Sequence, residues 1–172
     1  MRGTFALLAI LLITVLLLAG AFATASRAAF GVAILPATVT SSAVTLNGVD
    51  QTSTFTTTIT PSGAVNTGWN ITAWAPLPTV GGNNLGPLVL SSQPTLGACS
   101  PGGSCSLPTP IGITWPVTLG TTAGTAAKIY NADVSTGKGT NTITATFGFK
   151  VPANALPGSY VTTLTIIGST GP

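Results

Sequence analysis

The sequence predicts an all-β protein, a single antiparallel β-sandwich of the Ig-like or jelly-roll-like kind, preceded by an N-terminal hydrophobic helix. Threonine is abundant, lysine is scarce and glutamate is absent, and β-branched residues favour strands over helices. After Ser26, short apolar or alternating runs are separated by Gly, Pro and Asn, as is typical of all-β domains. At 172 residues, 45% of them hydrophobic, the chain is long enough for one domain with a substantial core.

Residues 1–25 have the pattern of an export signal. Arg2 precedes the hydrophobic stretch "FALLAILLITVLLLAG", and "AFA" or "ATA" supplies the small residues of a cleavage site. No charge occurs between Arg2 and Arg27, and about 20 apolar residues span a bilayer, so an uncleaved anchor is an alternative. A pilin-type leader that packs into a filament core is another, although the acidic residue of type IV pilins is absent. We expect residues 26–172 to form an extracytoplasmic domain, secreted or at the cell surface.

Nine short segments after Ser26 are candidate strands. Their spacing, with turn residues between them, favours a sandwich or a barrel. Long loops are predicted at "PSGAVNTG", "PTVGGNN" and "PGGSCSLPTP". Pro116, directly after Trp115, marks an edge strand or a bulge. In chain order the candidate strands are "FGVAIL", "AVTLNG", "STFTTTIT", "GWNITAWA", "PLVLSS", "GITWPVTLG", "AAKIYNA", "NTITATFGFKV" and "SYVTTLTIIG".

Two of these segments place large apolar residues on one face and mainly polar residues on the other. The run from Asn141 to Val151 places its isoleucine, alanine, phenylalanines and valine on one face and its threonines and lysine on the other. In "STFTTTIT", Phe55 and Ile59 share one face, and the other carries Thr54, Thr56, Thr58 and Thr60. Such period-two runs are half-buried strands. The residues predicted to be mainly buried are Phe55, Ile59, Trp69, Ile71, Phe147, Phe149, Leu164 and Ile166.

The stretch "GWNITAW" contains two of the three tryptophans. In an extended strand, Trp69 and Ile71 share one face, whereas Asn70 and Trp74 share the other. The two tryptophans therefore do not form one side-by-side platform. Trp69 is predicted to be a core anchor, because burying an aromatic of that size stabilises by a few kcal/mol. Trp74, on the mainly polar face, is either a ligand contact or packed under a neighbouring loop.

The only two cysteines, Cys99 and Cys105, enclose "SPGGS". In an exported chain this pair predicts a local disulfide. A ring of that size constrains the unfolded chain by only about 2 kcal/mol, so its main effect is to hold one loop in shape. We therefore expect reduction to loosen that loop and leave the strands intact.

Composition argues against several functional classes. Histidine is absent, so the familiar triads and histidine metal sites are not available, and we expect no enzyme activity, metal or cofactor. The only carboxylates, Asp50 and Asp133, lie in turn-like sequences where they would bond to local backbone N–H groups. The net charge of +3 rests on five scattered Lys and Arg residues, which argues against a nucleic-acid partner.

Two blocks resemble the WxL-domain family of cell-surface proteins. "TPSGAVNTGWNIT" resembles the turn that leads into Gly-Trp-Asn-hydrophobic-Thr, and the stretch from "AAKIYNADVSTGKG" to "VPANALPGSYVTTLTI" resembles the family's C-terminal part. The likeness runs from Ala43 to the C-terminus. It is partial, because Ile71 replaces the leucine of the name-giving motif and "LTIIG" lacks the tryptophan of the distal motif.

The resemblance implies a secreted, non-enzymatic protein that attaches non-covalently to cell-wall polysaccharide or peptidoglycan. Carried onto this chain, the motif makes Trp69, Asn70 and Ile71 candidate ligand-binding residues, and Trp74 joins them from its place on the polar face. The alternative is a structural subunit of a surface filament or pilus-like assembly. In that case the N-terminal hydrophobic segment or "RAAFGVAILPATVT" would pack into a neighbouring copy or another surface protein, by β-strand addition. A membrane is a partner only if residues 1–25 stay attached.

Overall fold

The computed structural model describes residues 30–35, 43–63, 66–100 and 105–172, with only the backbone at 33–35. The predicted export signal or hydrophobic helix at 1–25 lies outside these residues. The described chain forms eleven strands and one short 3₁₀ helix, Ala123–Thr125, and the strands of each sheet pair antiparallel. The all-β prediction is confirmed.

The strands fall into two main sheets and a small hairpin. The large sheet has the order β1-β2-β10-β6-β8, with β7 also paired to β10, and the small sheet has the order β11-β3-β9. β4 and β5 form the hairpin. The strands are β1 (Gly31–Leu35), β2 (Gln51–Gly63), β3 (Trp69–Trp74), β4 (Thr79–Val80), β5 (Asn83–Asn84), β6 (Val89–Leu90), β7 (Thr95–Ser100), β8 (Val117–Thr118), β9 (Ala127–Ala132), β10 (Gly139–Val151) and β11 (Thr165–Thr170).

β2 and β10 form the long central pair of the large sheet. Their register runs from Gly139 opposite Gly63 to Val151 opposite Gln51. Both strands alternate in burial, as their sequences predict, so that every second side chain enters the core. On the solvent face of this pair the hydroxyls of Thr56 and Thr146 lie 3.0 Å apart.

The inward side chains of both sheets meet in one hydrophobic cluster. It joins Ile59 and Phe147 of the large sheet to Trp69, Ile71 and Ile129 of the small sheet, all without exposed area. Five of the eight predicted core residues are buried. Phe55, Leu164 and Ile166 are only half-buried and pack against the cluster.

Several strand predictions are corrected by the structure. "AVTLNG" forms no strand, because its side chains are mostly exposed and only Val44 packs against the core. "PLVLSS" and "GITWPVTLG" each shorten to two paired residues, and "SYVTTLTIIG" is a strand only from Thr165 onward. β7 was not predicted, and the predicted loop "PTVGGNN" contains the β4–β5 hairpin. β8 lies at the end of the sheet order, in agreement with the edge predicted from Pro116.

Candidate functional site

β3 presents two different faces, as the alternation of "GWNITAW" predicts. Trp69, Ile71 and Ala73 point into the core and have no exposed area. Asn70 and Trp74 lie on the opposite face and are half-buried. β3 is held between β11 and β9, so both of its edges are paired and only its outward face can meet another molecule.

Trp69 is the centre of an aromatic stack. Its ring lies 5.8 Å from that of Phe30 and 5.5 Å from that of Tyr130, both centroid to centroid. Its indole N–H donates to the carbonyl oxygen of Gly137 at 2.9 Å, so its one polar group is satisfied inside the protein. Gly137 has φ 68°, and a Cβ there would overlap the indole. Trp69 and its neighbour Ile71 are therefore core residues in this fold, without a surface for ligand contact.

Asn70 faces outward, but its side chain is bound within the small sheet. Its Nδ2 donates to the carbonyl oxygen of Gly171 at 2.7 Å, and its Oδ1 lies 3.2 Å from the hydroxyl of Ser169. These bonds hold the C-terminal end of β11 against β3. The Asn70 amide thus has a structural role, and a ligand would have to compete with both bonds.

Trp74 is the one member of the predicted set with a partly exposed ring. It ends β3 beside Gly120, whose carbonyl oxygen accepts the N–H of Ala75 at 3.0 Å. Its indole Nε1 is buried and has no hydrogen-bond partner. On the same face, the opposite strand carries Thr165, which pairs with Trp74, and Ile167, whose side chain is 49% exposed. This surface combines a partly open ring, an apolar side chain and hydroxyls, which suits a sugar face more than a charged ligand.

A second feature is the seam where β1 meets the small sheet. Phe30, just before β1, stacks on Trp69, and Val32 packs against the hydrophobic cluster. Gly168 of β11 lies directly beneath them. A Cβ at Gly168 would overlap Val32 and lie 2.6 Å from Phe30 Cε1. The alternation predicts that Ile166 points inward, and Gly168, two residues later, lies on the same face of β11. Because glycine has no side chain, the sequence pattern does not indicate that Gly168 contacts another strand.

Both aspartates accept a hydrogen bond from a backbone N–H. Asp133 accepts the N–H of its neighbour Val134 at 2.7 Å, which confirms the predicted local bond. Asp50 instead accepts the N–H of Ala153, 103 residues along the chain, at 2.9 Å, so the prediction of a local bond is wrong for Asp50. Burial raises the pKa of Tyr130 to about 12. Among the described residues, no group of three or more His, Cys, Asp or Glu is placed to hold a metal ion.

The predicted disulfide between Cys99 and Cys105 is present. Cys99 lies in β7 and pairs with Asn141 of β10, so the bridge ties Cys105 to the place where β7 meets the start of β10. Nearby, the N–H of Ser106 donates to the carbonyl oxygen of Lys138 at 3.2 Å. The bridge therefore fixes one end of the large sheet, the end at which Ser62 of β2 pairs with both Gly31 of β1 and Thr140 of β10.

Comparison with known proteins adds no relative to this picture. The chain matches no protein-family model, no curated protein and no solved structure. None of the helical structure in the described residues has the length and apolar character needed to cross a membrane.

Proposed function

We propose that this chain is an exported, non-enzymatic structural protein of the cell surface, in which a single β-sandwich is the unit of a surface assembly. The sandwich interpretation is supported by the one hydrophobic cluster that the two sheets share. The disulfide supports an extracytoplasmic location. Only 4% of the residues in the chain are charged, which suits close packing between copies, because few charges must be desolvated.

The observation that carries this proposal is the position of β1. The segment that follows the hydrophobic N-terminal stretch forms the terminal strand of the large sheet. Among the described residues, the outer edge of β1 has no strand partner, and the N–H and C=O groups of such edges pair readily with another chain. The segment nearest the predicted export signal is therefore also the segment best placed to join one copy to another.

The proposal is tested by purifying the chain from Ser26 onward, which keeps every described residue. We expect concentrated protein to sediment as ordered polymers visible by negative-stain electron microscopy. The full-length chain, isolated from membranes or medium, is the matched comparison for a contribution of residues 1–25. Protein that stays monomeric in both forms across the concentration range would overturn the assembly function.

A second candidate is the wall-binding function that the WxL resemblance implies, and the partly exposed ring of Trp74 favours it. Binding to isolated cell walls should persist in moderately high salt, because ionic contacts, which are screened within about 10 Å at 0.1 M salt, contribute little to so uncharged a domain. Trp74→Ala should weaken co-sedimentation with walls. Trp115→Ala is the matched control, since Trp115 is also half-buried with an unpartnered indole nitrogen. Equal binding by both variants and the unmodified domain would remove Trp74 from the site.

A further inference from the structure

β1 lies at one end of the large sheet and, like β7, β9 and β11, has a single strand partner among the described residues. It pairs with β2 alone, from Gly31 opposite Ser62 to Leu35 opposite Thr58. β2 is paired on its other side with β10 along almost its whole length, and this pairing does not involve β1. Removing β1 would therefore leave the centre of the large sheet paired and open one edge of β2.

The place that β1 occupies is a slot with a defined shape. Its wall is the edge of β2, and its floor is formed by Trp69 and Gly168. Phe30 covers the otherwise buried Trp69 ring, and Val32 fits the space that the missing side chain at Gly168 leaves. An empty slot would expose the Trp69 ring to water, so a strand that carries apolar side chains at the positions of Phe30 and Val32 must fill it.

The chain allows this strand to be supplied by another copy. β1 is joined to β2 by residues 36–50, which when fully extended reach about 50 Å. In the described part of this connection, 43–50, every side chain except that of Val44 is exposed. Among the described residues, moving β1 into a neighbouring copy therefore breaks few contacts other than those that it makes again there, which is the condition for exchange of an identical element.

We infer that copies of this chain join by exchanging β1, so that Phe30–Leu35 of one copy fills the slot of the next. The inference depends on the proposed assembly function and names its contact. The strand that occupies the slot comes from a second copy, because β1 is the segment that fits the slot in the structure. Each copy gives one strand and receives one, which is a head-to-tail contact that generates an open chain unless the rotation closes it.

The test is a disulfide staple that locks β1 onto its own β2. Gly31 and Ser62 are opposite each other, and a Cβ at Gly31 would lie 3.6 Å from Ser62 Oγ, so side chains at the two positions meet on the same face of the sheet. The double variant Gly31→Cys, Ser62→Cys is oxidised as a dilute monomer, checked by mass spectrometry, and then concentrated. Unmodified protein with and without dithiothreitol is the control, because the reductant also opens the Cys99–Cys105 bridge.

We expect the oxidised variant to stay in the supernatant and the reduced variant to sediment like the control. Polymers formed equally well by the oxidised variant would overturn strand exchange and leave the assembly function standing. Failure of the unmodified protein to assemble in either condition would instead remove the assembly function, and the exchange with it.

Discussion

The centre and the edge of the large sheet are held in different ways. β10 lies between β2 on one side and β6 and β7 on the other, and the β2–β10 register extends over nearly the full length of both strands. β1 has one strand neighbour and a five-residue register. Much of its attachment comes instead from the packing of Phe30 and Val32 over the core.

We expect the doubly paired strands to determine the free energy of unfolding and the terminal strand β1 to mediate the proposed assembly. Strands paired on both sides set the free energy of unfolding, because breaking them opens the whole core. A terminal strand opens at lower cost, and segments that open locally are the ones available for conformational change and exchange. Trp69 lies where the two regions meet, under Phe30 and beside Tyr130.

The largest expected effect is on the core itself. Trp69→Ala should lower the free energy of unfolding by about 3 to 5 kcal/mol, because it leaves a large cavity beneath both Phe30 and Tyr130. Chemical denaturation monitored by circular dichroism measures the loss. A variant that unfolds at the same denaturant concentration as the unmodified protein would show that the aromatic stack does not support the core.

Alkaline pH tests the other side of the same stack. The pKa of Tyr130 is raised from 10.0 to about 12, so the unfolded chain loses this proton at a lower pH than the folded protein does. Stability is therefore fully present below pH 10 and should fall as the pH rises toward 12. Tyr130→Phe, which cannot ionise, should remove this part of the decline, and identical pH profiles for the two proteins would contradict the assignment.

Removal of the disulfide should have a smaller and local effect. Cys99→Ser with Cys105→Ser should cost about 2 kcal/mol, because the closed ring is short. Hydrogen exchange should increase between Ala98 and Pro108 and remain unchanged in the distant half of β10. Mass spectrometry of the unreduced exported protein should first show the bridge, and free thiols there would argue against an oxidising compartment.

The smallest expected effect on stability is at the edge. Phe30→Ala should cost only about 1 to 2 kcal/mol, since the ring is half-buried, yet it should reduce assembly strongly. Val134→Ala is the control, because that side chain is 54% exposed and lies outside the seam. If Phe30→Ala destabilises the monomer as much as Trp69→Ala does, β1 belongs to the central folding unit and the contrast between centre and edge is wrong.

The parts of the fold that the sequence predicts are those with long, regular alternation. β10 and β2 are long enough for period two to be unmistakable, and the same parity places Trp69 and Ile71 inward. The β4–β5 hairpin and β7 carry no such signal: the hairpin strands pair only two residues each, and β7 exposes most of its side chains. "AVTLNG" has strand-like composition, but the chain gives it no partner strand among the described residues.

The candidate site could be predicted only in part. Parity separates Trp74 from Trp69, but the bonds that occupy Asn70 come from Ser169 and Gly171, about a hundred residues along the chain. Such long-range contacts are set by the pairing of β11 with β3, which local sequence does not specify. The β1 slot likewise depends on Gly168, because the absence of a side chain there leaves room for Val32 and Phe30. The sequence alone does not indicate that these residues meet.

The most direct test of the central claim asks which copy provides the strand next to β2. Equal amounts of isotopically light and heavy Gly31→Cys, Ser62→Cys protein are mixed as reduced monomers, allowed to assemble and only then oxidised. Mass spectrometry of the peptides joined through positions 31 and 62 should find light–heavy pairs as abundant as like-with-like pairs, because each slot is filled from another copy. Assembled material that contains only like-with-like pairs would mean that every β1 stays on its own β2, and the account would be contradicted.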